Sequence, residues 1–428
     1  MNINFINHAS ILIKTRNISI ISDPWLFGNV FNEGWSLLCK SPAVDWSNID
    51  FIWISHEHPD HFHIPTLLSI SDKDKGNLTV LYQNTLDKKV LKWLKNKNFR
   101  VRELPLLKKI EIAPKVYIKT GSTPQDDSWL LIDDGKTKFL NMNDCETKTK
   151  EYDFVMKNHA KNIGKIDILA SQFTFASYLG KNLSYRKKVA KTLLDKVGFQ
   201  VEVLKPKYFI PFASFAYFSH PESFSQNKGN NTVIDIYKFI NKQNIASPII
   251  LYPGDSWKLN QSISNEKNIK KFKAIYQKAY AKPLKDGTSI INIEALAVKG
   301  EKYKNRLLKK NYFLRYYHLS TVNIWINDLN QSVQFNLSEG LKKNNKKKSE
   351  CDLVASSDLI STWFDFDYGG ATLYISGRMS YNNYSDYRKV YKYFFISNGN
   401  NRGEKWPWFE IKRRLNVRLN MLFNLDIG

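Results

Sequence analysis

The chain has 428 residues, 43% of them hydrophobic and 14% aromatic, which excludes global disorder and favours two domains. Its net charge of +24 suits a negatively charged partner, but the lysines lie along the whole chain, as they do in a lysine-rich proteome. The three cysteines form no CxxC pair and indicate no disulfide framework, and no apolar run is long enough to span a membrane, so we expect a cytoplasmic protein.

The first part of the chain predicts a layered α/β domain that ends near residue 285. "IDFIWIS" at 49–55 is a continuous apolar run, typical of a strand buried on both faces. "IPTLLSI" at 64–70 predicts a helix with a proline in its first turn. Strand-like and helical runs then alternate as far as "PIILYPGDSW" at 248–257, and this alternation favours an α/β fold.

Residues 286–428 predict a smaller α+β domain. The stretch 319–340 is typical of a hairpin, and 351–383 predicts a strand, a short helix and a second strand, with a turn at Gly369–Gly370. The tail "WPWFEIKRRLNVRLNMLF" at 406–423 predicts a basic amphipathic helix. Such a helix either contacts an anionic membrane surface peripherally or covers its own domain.

The stretch "ISHEHPDHFH" at 54–63 contains four of the eight histidines and directly follows the buried run. Alternate residues of an extended chain point the same way, so one cation can contact both His56 and His58. After a turn, Asp60 and His61 can bind a second cation. Imidazole combined with carboxylate suits zinc or iron, as one or two ions, better than calcium or magnesium.

This His-x-His-x-Asp-His spacing resembles the signature of the metallo-β-lactamase superfamily, whose members fold as a four-layer αββα sandwich. Residues 7–25, "NHASILIKTRNISIISDPW", are similar to the first hairpin of that family. Residues 130–146, "LLIDDGKTKFLNMNDCE", are similar to a later hairpin, in which Asp144 stands in place of the metal-bridging aspartate. The resemblance covers roughly residues 3–257.

Within that superfamily the chain is most similar to the catalytic region of CMP-N-acetylneuraminate hydroxylases and their bacterial relatives. The narrower likeness rests on residues 22–37, 207–224 and 251–257. Those enzymes join the fold to a Rieske iron–sulfur domain, which needs two cysteines and two histidines at close spacing. The widely separated Cys39, Cys145 and Cys351 do not provide such a centre.

The resemblance implies a set of metal ligands, namely His56, His58, Asp60, His61, Asp144 and His220. One family histidine is missing, because Ser122 stands where it is expected, and the candidate replacements are Asp126, Asp127 and Glu57. Three further residues are expected near the site without binding metal. They are His8, Asp23, which would orient a ligand by hydrogen bonding, and Asp255, which would line the same pocket.

The resemblance implies a metal-dependent hydrolase in which a metal-activated water attacks a phosphorus or carbonyl centre. Asp60 or Asp144 would orient that water and accept its proton. Basic side chains around the cleft would favour an anionic substrate, such as a phosphodiester or a sugar nucleotide.

Two alternatives stay open. The first is an iron-dependent oxygenase, which would need a separate reductase as its electron donor. The second is a noncatalytic binding protein, since part of the C-terminal region is similar to sterol-carrier-type domains. A specific nucleic-acid partner is not expected, because the sequence contains no helix-turn-helix, zinc finger or RNP-like run.

Overall fold

The structure is a computed structural model that describes residues 1–123, 127–145, 151–285, 287–382, 384–412 and 415. Two seven-stranded sheets pack face to face, with helices on their outer surfaces. A four-stranded sheet with its own helices follows in the C-terminal part. The predicted four-layer αββα sandwich with a smaller α+β part is confirmed.

The strands that precede residue 285 are short. In chain order they are β1 (Asn2–Asn7), β2 (Ser10–Lys14), β3 (Ser19–Ser22), β4 (Asn29–Val30), β5 (Trp35–Leu37), β6 (Phe51–Ile54), β7 (Thr79–Gln83), β8 (Arg100–Leu104), β9 (Ile110–Ala113), β10 (Val116–Ser122), β11 (Ser128–Asp133), β12 (Lys138–Asn143), β13 (Ile168–Ser171), β14 (Tyr208–Pro211), β15 (Ala216–Phe218), β16 (Ser247–Pro248) and β17 (Ser256–Lys258).

The helices of the same part are α1 (Ile64–Leu68), α2 (Asp72–Asn77), α3 (Lys89–Asn96), α4 (Glu151–Ile163), α5 (Leu183–Leu204), α6 (Val233–Gln243) and α7 (Asn265–Ala279). The C-terminal part contains α8 (Ile293–Lys310), β18 (Val322–Ile326), β19 (Gln331–Asn336), β20 (Gly340–Lys343), β21 (Leu353–Ala355), α9 (Ser357–Asp365), α10 (Gly369–Ser376) and α11 (Tyr384–Asn401).

The first sheet has the strand order β17-β1-β2-β3-β6-β7-β8, and the second has the order β16-β14-β13-β12-β11-β10-β9. Strand β6 is buried on both faces, as its apolar run predicts. Trp53 points into the core between the two sheets, whereas Ile52 and Ile54 pack towards the outer helices. This alternation follows from the two-residue period of a strand. The chain leaves the sheet after Ile54, at the edge where β6 ends.

The C-terminal part has a hydrophobic core of its own, which extends over α8–α11 and β18–β21. The predicted hairpin is present as β18 and β19. The prediction of a second strand within 351–383 is wrong, because residues 369–376 form helix α10. The two glycines do not form a turn there. A Cβ on Gly370 would lie 2.2 Å from the ring of Phe394, so this glycine allows α10 to pack closely on α11.

The C-terminal part packs directly on the sandwich. Arg378 is fully buried between them and contacts both carboxylate oxygens of Asp358, at 2.7 and 3.0 Å, and Glu222 at 3.1 Å. Asn401, at the end of α11, hydrogen-bonds Glu57 in the loop that follows β6. Of the predicted tail helix, residues 408–412 are helical and most of the remainder lies outside the described residues. Within the described residues, no helix is long and apolar enough to cross a membrane.

Candidate metal centre

The histidine loop begins where β6 ends, and a second polar segment begins where β12 ends. In sheets of this kind, loops at the carboxyl ends of the strands form ligand sites. Here they bring two groups of ligand atoms together. The first group contains His56, His58 and Asp127. Nε2 of His56 lies 2.9 Å from Nδ1 of His58 and 3.7 Å from a carboxylate oxygen of Asp127.

The second group contains His8, Asp60 and His61. One carboxylate oxygen of Asp60 lies 3.4 Å from Nε2 of His61 and 3.3 Å from Nε2 of His8. A third combination of His56, His61 and Asp144 connects the two groups, and Asp144 lies 3.4 Å from Nε2 of His61. Asp144 therefore lies within reach of ligand atoms from both groups.

Some buried atoms of this cluster make no hydrogen bond within the part of the chain that the structure describes. They are Oδ1 of Asp60 and Oδ1 of Asp144, while Nε2 of His61 has only its two carboxylate contacts of 3.4 Å. A buried polar atom without a partner costs about 1–3 kcal/mol. A metal ion would satisfy such atoms, and imidazole with carboxylate is a donor set that zinc and iron accept. The residues that are present therefore fit a metal site.

Burial and neighbouring charges shift the pKa values of the cluster in opposite directions. Burial, together with repulsion from His61 and His58, holds the pKa of His56 well below its ordinary value. Burial opposes the charged forms of Asp60 and His61 as well, but their mutual attraction outweighs it. The pKa of Asp60 is therefore lowered and that of His61 is raised. Asp144 and Asp23 contribute to the shift at His61.

Asp23 is the hydrogen-bond acceptor that organises the cluster. It is fully buried and accepts from the backbone N–H and the hydroxyl of Ser55, both at 2.7 Å, and from the side-chain amide of Asn143 at 2.7 Å. Its carboxylate also lies 2.9 Å from Nδ1 of His61, which is the contact that an orienting role requires. Sequence reasoning did not identify Ser55 or Asn143, although each is adjacent to a predicted ligand.

Three residues around the centre have backbone conformations that side chains rarely adopt. The φ angles of His8, Asp23 and Asn143 are 34°, 37° and 49°. Such strained positions persist only where surrounding contacts hold them, and they are enriched at functional sites. The strain here is localised in the segments that supply or support the ligand atoms.

Other predicted residues lie elsewhere. His220 belongs to none of the ligand groups found among the described residues, and its Nδ1 accepts a hydrogen bond from the backbone of Glu222. The second ligand group contains His8, beside Asp60, and does not contain His220. Asp255 accepts hydrogen bonds from Tyr252 and Asn268, and it lines a separate cavity.

The missing family histidine leaves Ser122 as the last residue of β10. Among the candidate replacements, Asp127 joins His56 and His58, whereas Glu57 forms an ion pair with Lys89 at 3.2 Å. Asp126 lies outside the described residues.

A polar cavity of about 190 Å³ opens onto His56, His58 and Asp127. Its wall carries more acidic than basic groups, contrary to the expectation of a basic cleft. The charged side chains that line it are Glu57, Asp87, Asp127, Glu404 and Arg402, and Arg402 forms an ion pair with Glu404 at 3.1 Å. The lining alone therefore does not attract an anion.

Comparisons with known proteins give the following likenesses. Residues 2–171 match the family model described as the beta-lactamase superfamily domain. The cytidine monophosphate-N-acetylneuraminic acid hydroxylase of Xenopus laevis is 26% identical over 245 residues, which cover 52% of this chain and 39% of that protein. The inactive cytidine monophosphate-N-acetylneuraminic acid hydroxylase of Homo sapiens is 26% identical over 246 residues, which cover 52% of this chain and 46% of that protein.

The matched region therefore spans less than half the length of these curated relatives. Among solved structures, a metallo hydrolase from the archaeon Ignicoccus hospitalis is similar with a TM-score of 0.42 and 13% identity. That likeness covers 60% of this chain and 99% of the other.

Proposed function

We propose that this chain, whose residues 2–171 match the beta-lactamase superfamily domain, is a metal-dependent hydrolase of a phosphodiester or sugar-nucleotide-like anionic substrate. The observation that carries the proposal is the convergence of His56, His58, Asp60, His61 and Asp144. Within the described residues, Oδ1 of Asp60 and Oδ1 of Asp144 make no hydrogen bond and could bind a metal ion. These residues, with His8 and Asp127, would hold one or two zinc ions.

Bound zinc would supply a water molecule whose pKa is lowered from about 15.7 to near 7. His61 and His8 lower the pKa of Asp60 despite its burial, which favours the ionised form that a metal ion would bind. Asp144 lies between the two groups of ligand atoms and has one oxygen without a hydrogen-bond partner among the described residues. That oxygen can orient the attacking water and accept its proton.

In the reaction, the water oxygen bonds to phosphorus, the P–O ester bond breaks, and the departing alcohol takes up a proton. Because most of the charged side chains that line the polar cavity are carboxylates, an anionic substrate would bind only after cations neutralise them. Substrate binding should therefore depend on metal, and metal removal should weaken binding as well as abolish turnover.

Elemental analysis of the purified chain, followed by assay with bis(p-nitrophenyl) phosphate, tests this proposal. About one to two zinc ions per chain, with less metal and no turnover in His56→Ala, would support it. His318→Ala is the matched control, because His318 is exposed and absent from the ligand groups found in the described residues. Full turnover in both Asp60→Ala and His61→Ala would overturn the proposal.

The second candidate is an iron-dependent oxygenase supplied with electrons by a separate reductase. It is favoured by the 26% identity to proteins named as hydroxylases. Bound iron, together with oxygen consumption in the presence of an artificial electron donor, would place this candidate first. Absence of any metal after reconstitution would instead favour a noncatalytic binding protein.

A further inference from the structure

A large cavity lies between the sandwich and the C-terminal part, beside the candidate metal centre. Its volume of about 610 Å³ falls within the range of roughly 300–1,000 Å³ that is typical of small-molecule sites. His58 lines both this cavity and the smaller polar one, so the two spaces adjoin at a ligand of the first group. A molecule in the large cavity therefore lies next to a ligand atom of the first group.

The walls of the large cavity are predominantly aromatic and aliphatic. The sandwich contributes Phe31, Phe62 and Trp93, and the rings of Phe62 and Trp93 pack edge to face at 5.2 Å. The C-terminal part contributes Phe366 and Tyr368, whose rings stack at 4.9 Å and which remain 45% and 42% exposed. Apolar surface left open in this way is a feature of ligand-binding grooves.

The opposite properties of the two adjoining spaces indicate a ligand with two different ends. A wholly polar substrate would leave the aromatic walls of the large cavity in contact with water. A wholly apolar ligand would place apolar surface against the charged side chains that line the polar cavity at His56 and Asp127. The hydrophobic gain from filling such a cavity is about 25 cal/mol per Å² of apolar surface removed from water, so an apolar group favours the larger space.

We propose that the substrate is amphipathic, with its scissile polar group at His56 and His58 and an alkyl chain in the large apolar cavity. This inference rests on the proposed hydrolysis, since it assigns the part of the substrate that does not react. The C-terminal part then has a direct role, because Phe366 and Tyr368 form the wall against which the alkyl chain packs.

Binding of n-butyl, n-hexyl and n-octyl phosphate to the zinc-reconstituted full chain, measured by titration calorimetry, tests the proposal. Burial of one methylene should tighten binding about fourfold, up to the length that the cavity holds. Ala371 lines the cavity and is half-buried, so Ala371→Trp should fill part of the cavity and remove most of the chain-length dependence. Ala281→Trp, at an exposed position that does not line this cavity, is the matched control.

A second variant, Phe366→Ser, removes part of the wall at an exposed position and should also reduce the chain-length dependence. This variant keeps the test decisive if Ala371→Trp does not fold. Equal affinity for the three phosphates in the unaltered chain would overturn the inference, even if the chain hydrolyses bis(p-nitrophenyl) phosphate. Undiminished chain-length dependence in folded Ala371→Trp and Phe366→Ser would exclude this cavity as the place of the alkyl chain.

The two proposals are separated by a result in which alkyl phosphates bind as expected but no phosphodiester is hydrolysed. A chain-length dependence that is lost in the cavity variants supports the inference, even if no phosphodiester is hydrolysed. In that case the proposed reaction fails and the binding assignment stands.

Discussion

Replacement of Asp23 by asparagine tests whether the metal centre depends on its buried acceptor. One oxygen of Asp23 accepts from the Ser55 hydroxyl and the Asn143 amide and faces Nδ1 of His61, while the other accepts from the backbone N–H of Ser55. An amide offers only one acceptor oxygen. Whichever way the amide is turned, its NH₂ group faces a donor.

The contact with His61 sets the size of the effect. The Ser55 hydroxyl can rotate and the Asn143 amide can turn over, but the backbone N–H of Ser55 and the ring of His61 compete for the single remaining oxygen. One hydrogen bond to a charged group is then lost, and we expect the metal-free protein to lose about 1.5–3 kcal/mol of unfolding free energy. The neutral form of His61, which is the form that binds zinc, would then favour a proton on Nε2, the atom that faces Asp60 and Asp144, so zinc affinity should fall about 10–100-fold.

Chelator competition measures the zinc dissociation constant, and urea unfolding of the metal-free protein measures the stability. Asp45→Asn provides the matched control, because Asp45 is an exposed helix N-cap whose oxygen accepts from Ser47, and asparagine retains that acceptor. If Asp23→Asn binds zinc within twofold of the unaltered chain, Asp23 does not orient His61 and the reasoning fails.

Three other predictions address the ligand set, the protons and the interface between the two parts of the chain. Asp127→Ala should weaken zinc binding and Asp127→His should restore it, as measured by chelator competition, since histidine is the residue that the family usually supplies. His61 has a raised pKa, so zinc binding at pH 7 should release about one proton, and zinc affinity should weaken as the pH falls. Calorimetry in buffers of different ionisation enthalpy would detect the released proton. Arg378→Met should lower the unfolding free energy by about 3–5 kcal/mol, because it leaves Asp358 and Glu222 without their buried cation; a loss below 1 kcal/mol in urea unfolding would contradict this.

The part of the centre that the sequence predicts is the part that local geometry determines. His56, His58, Asp60 and His61 lie within six consecutive positions, so the strand period and one turn decide which way they point. The likeness of the hairpin places Asp144. By contrast, His8 is more than 50 residues from Asp60, and its approach depends on how the turn after β1 packs against the loop after β6. The spacing of residues along the sequence does not predict that His8 and Asp60 come into contact.

Asp127 and α10 illustrate two other limits. Asp127 is one of three candidate replacements for the missing histidine, and its approach to His56 depends on how the chain at the start of β11 lies against the loop after β6. The run that becomes α10 is short and apolar, and such a run fits a strand or a buried helix equally well. Its paired glycines predict a turn, but the close approach of Phe394 explains Gly370. Tertiary contacts therefore decided both cases.

The two groups of ligand atoms differ in accessibility, and this difference indicates where a substrate arrives. The side chains of His61 and Asp60 are 0% and 5% exposed, and neither lines the polar or the apolar cavity. His56 and Asp127 line the polar cavity, and Asp127 is 15% exposed. A substrate can therefore reach the first group directly, while the second group is enclosed and held by Asp23. Hydrolysis and oxygenation would share this approach, so the identity of the bound metal, rather than the shape of the cleft, distinguishes them.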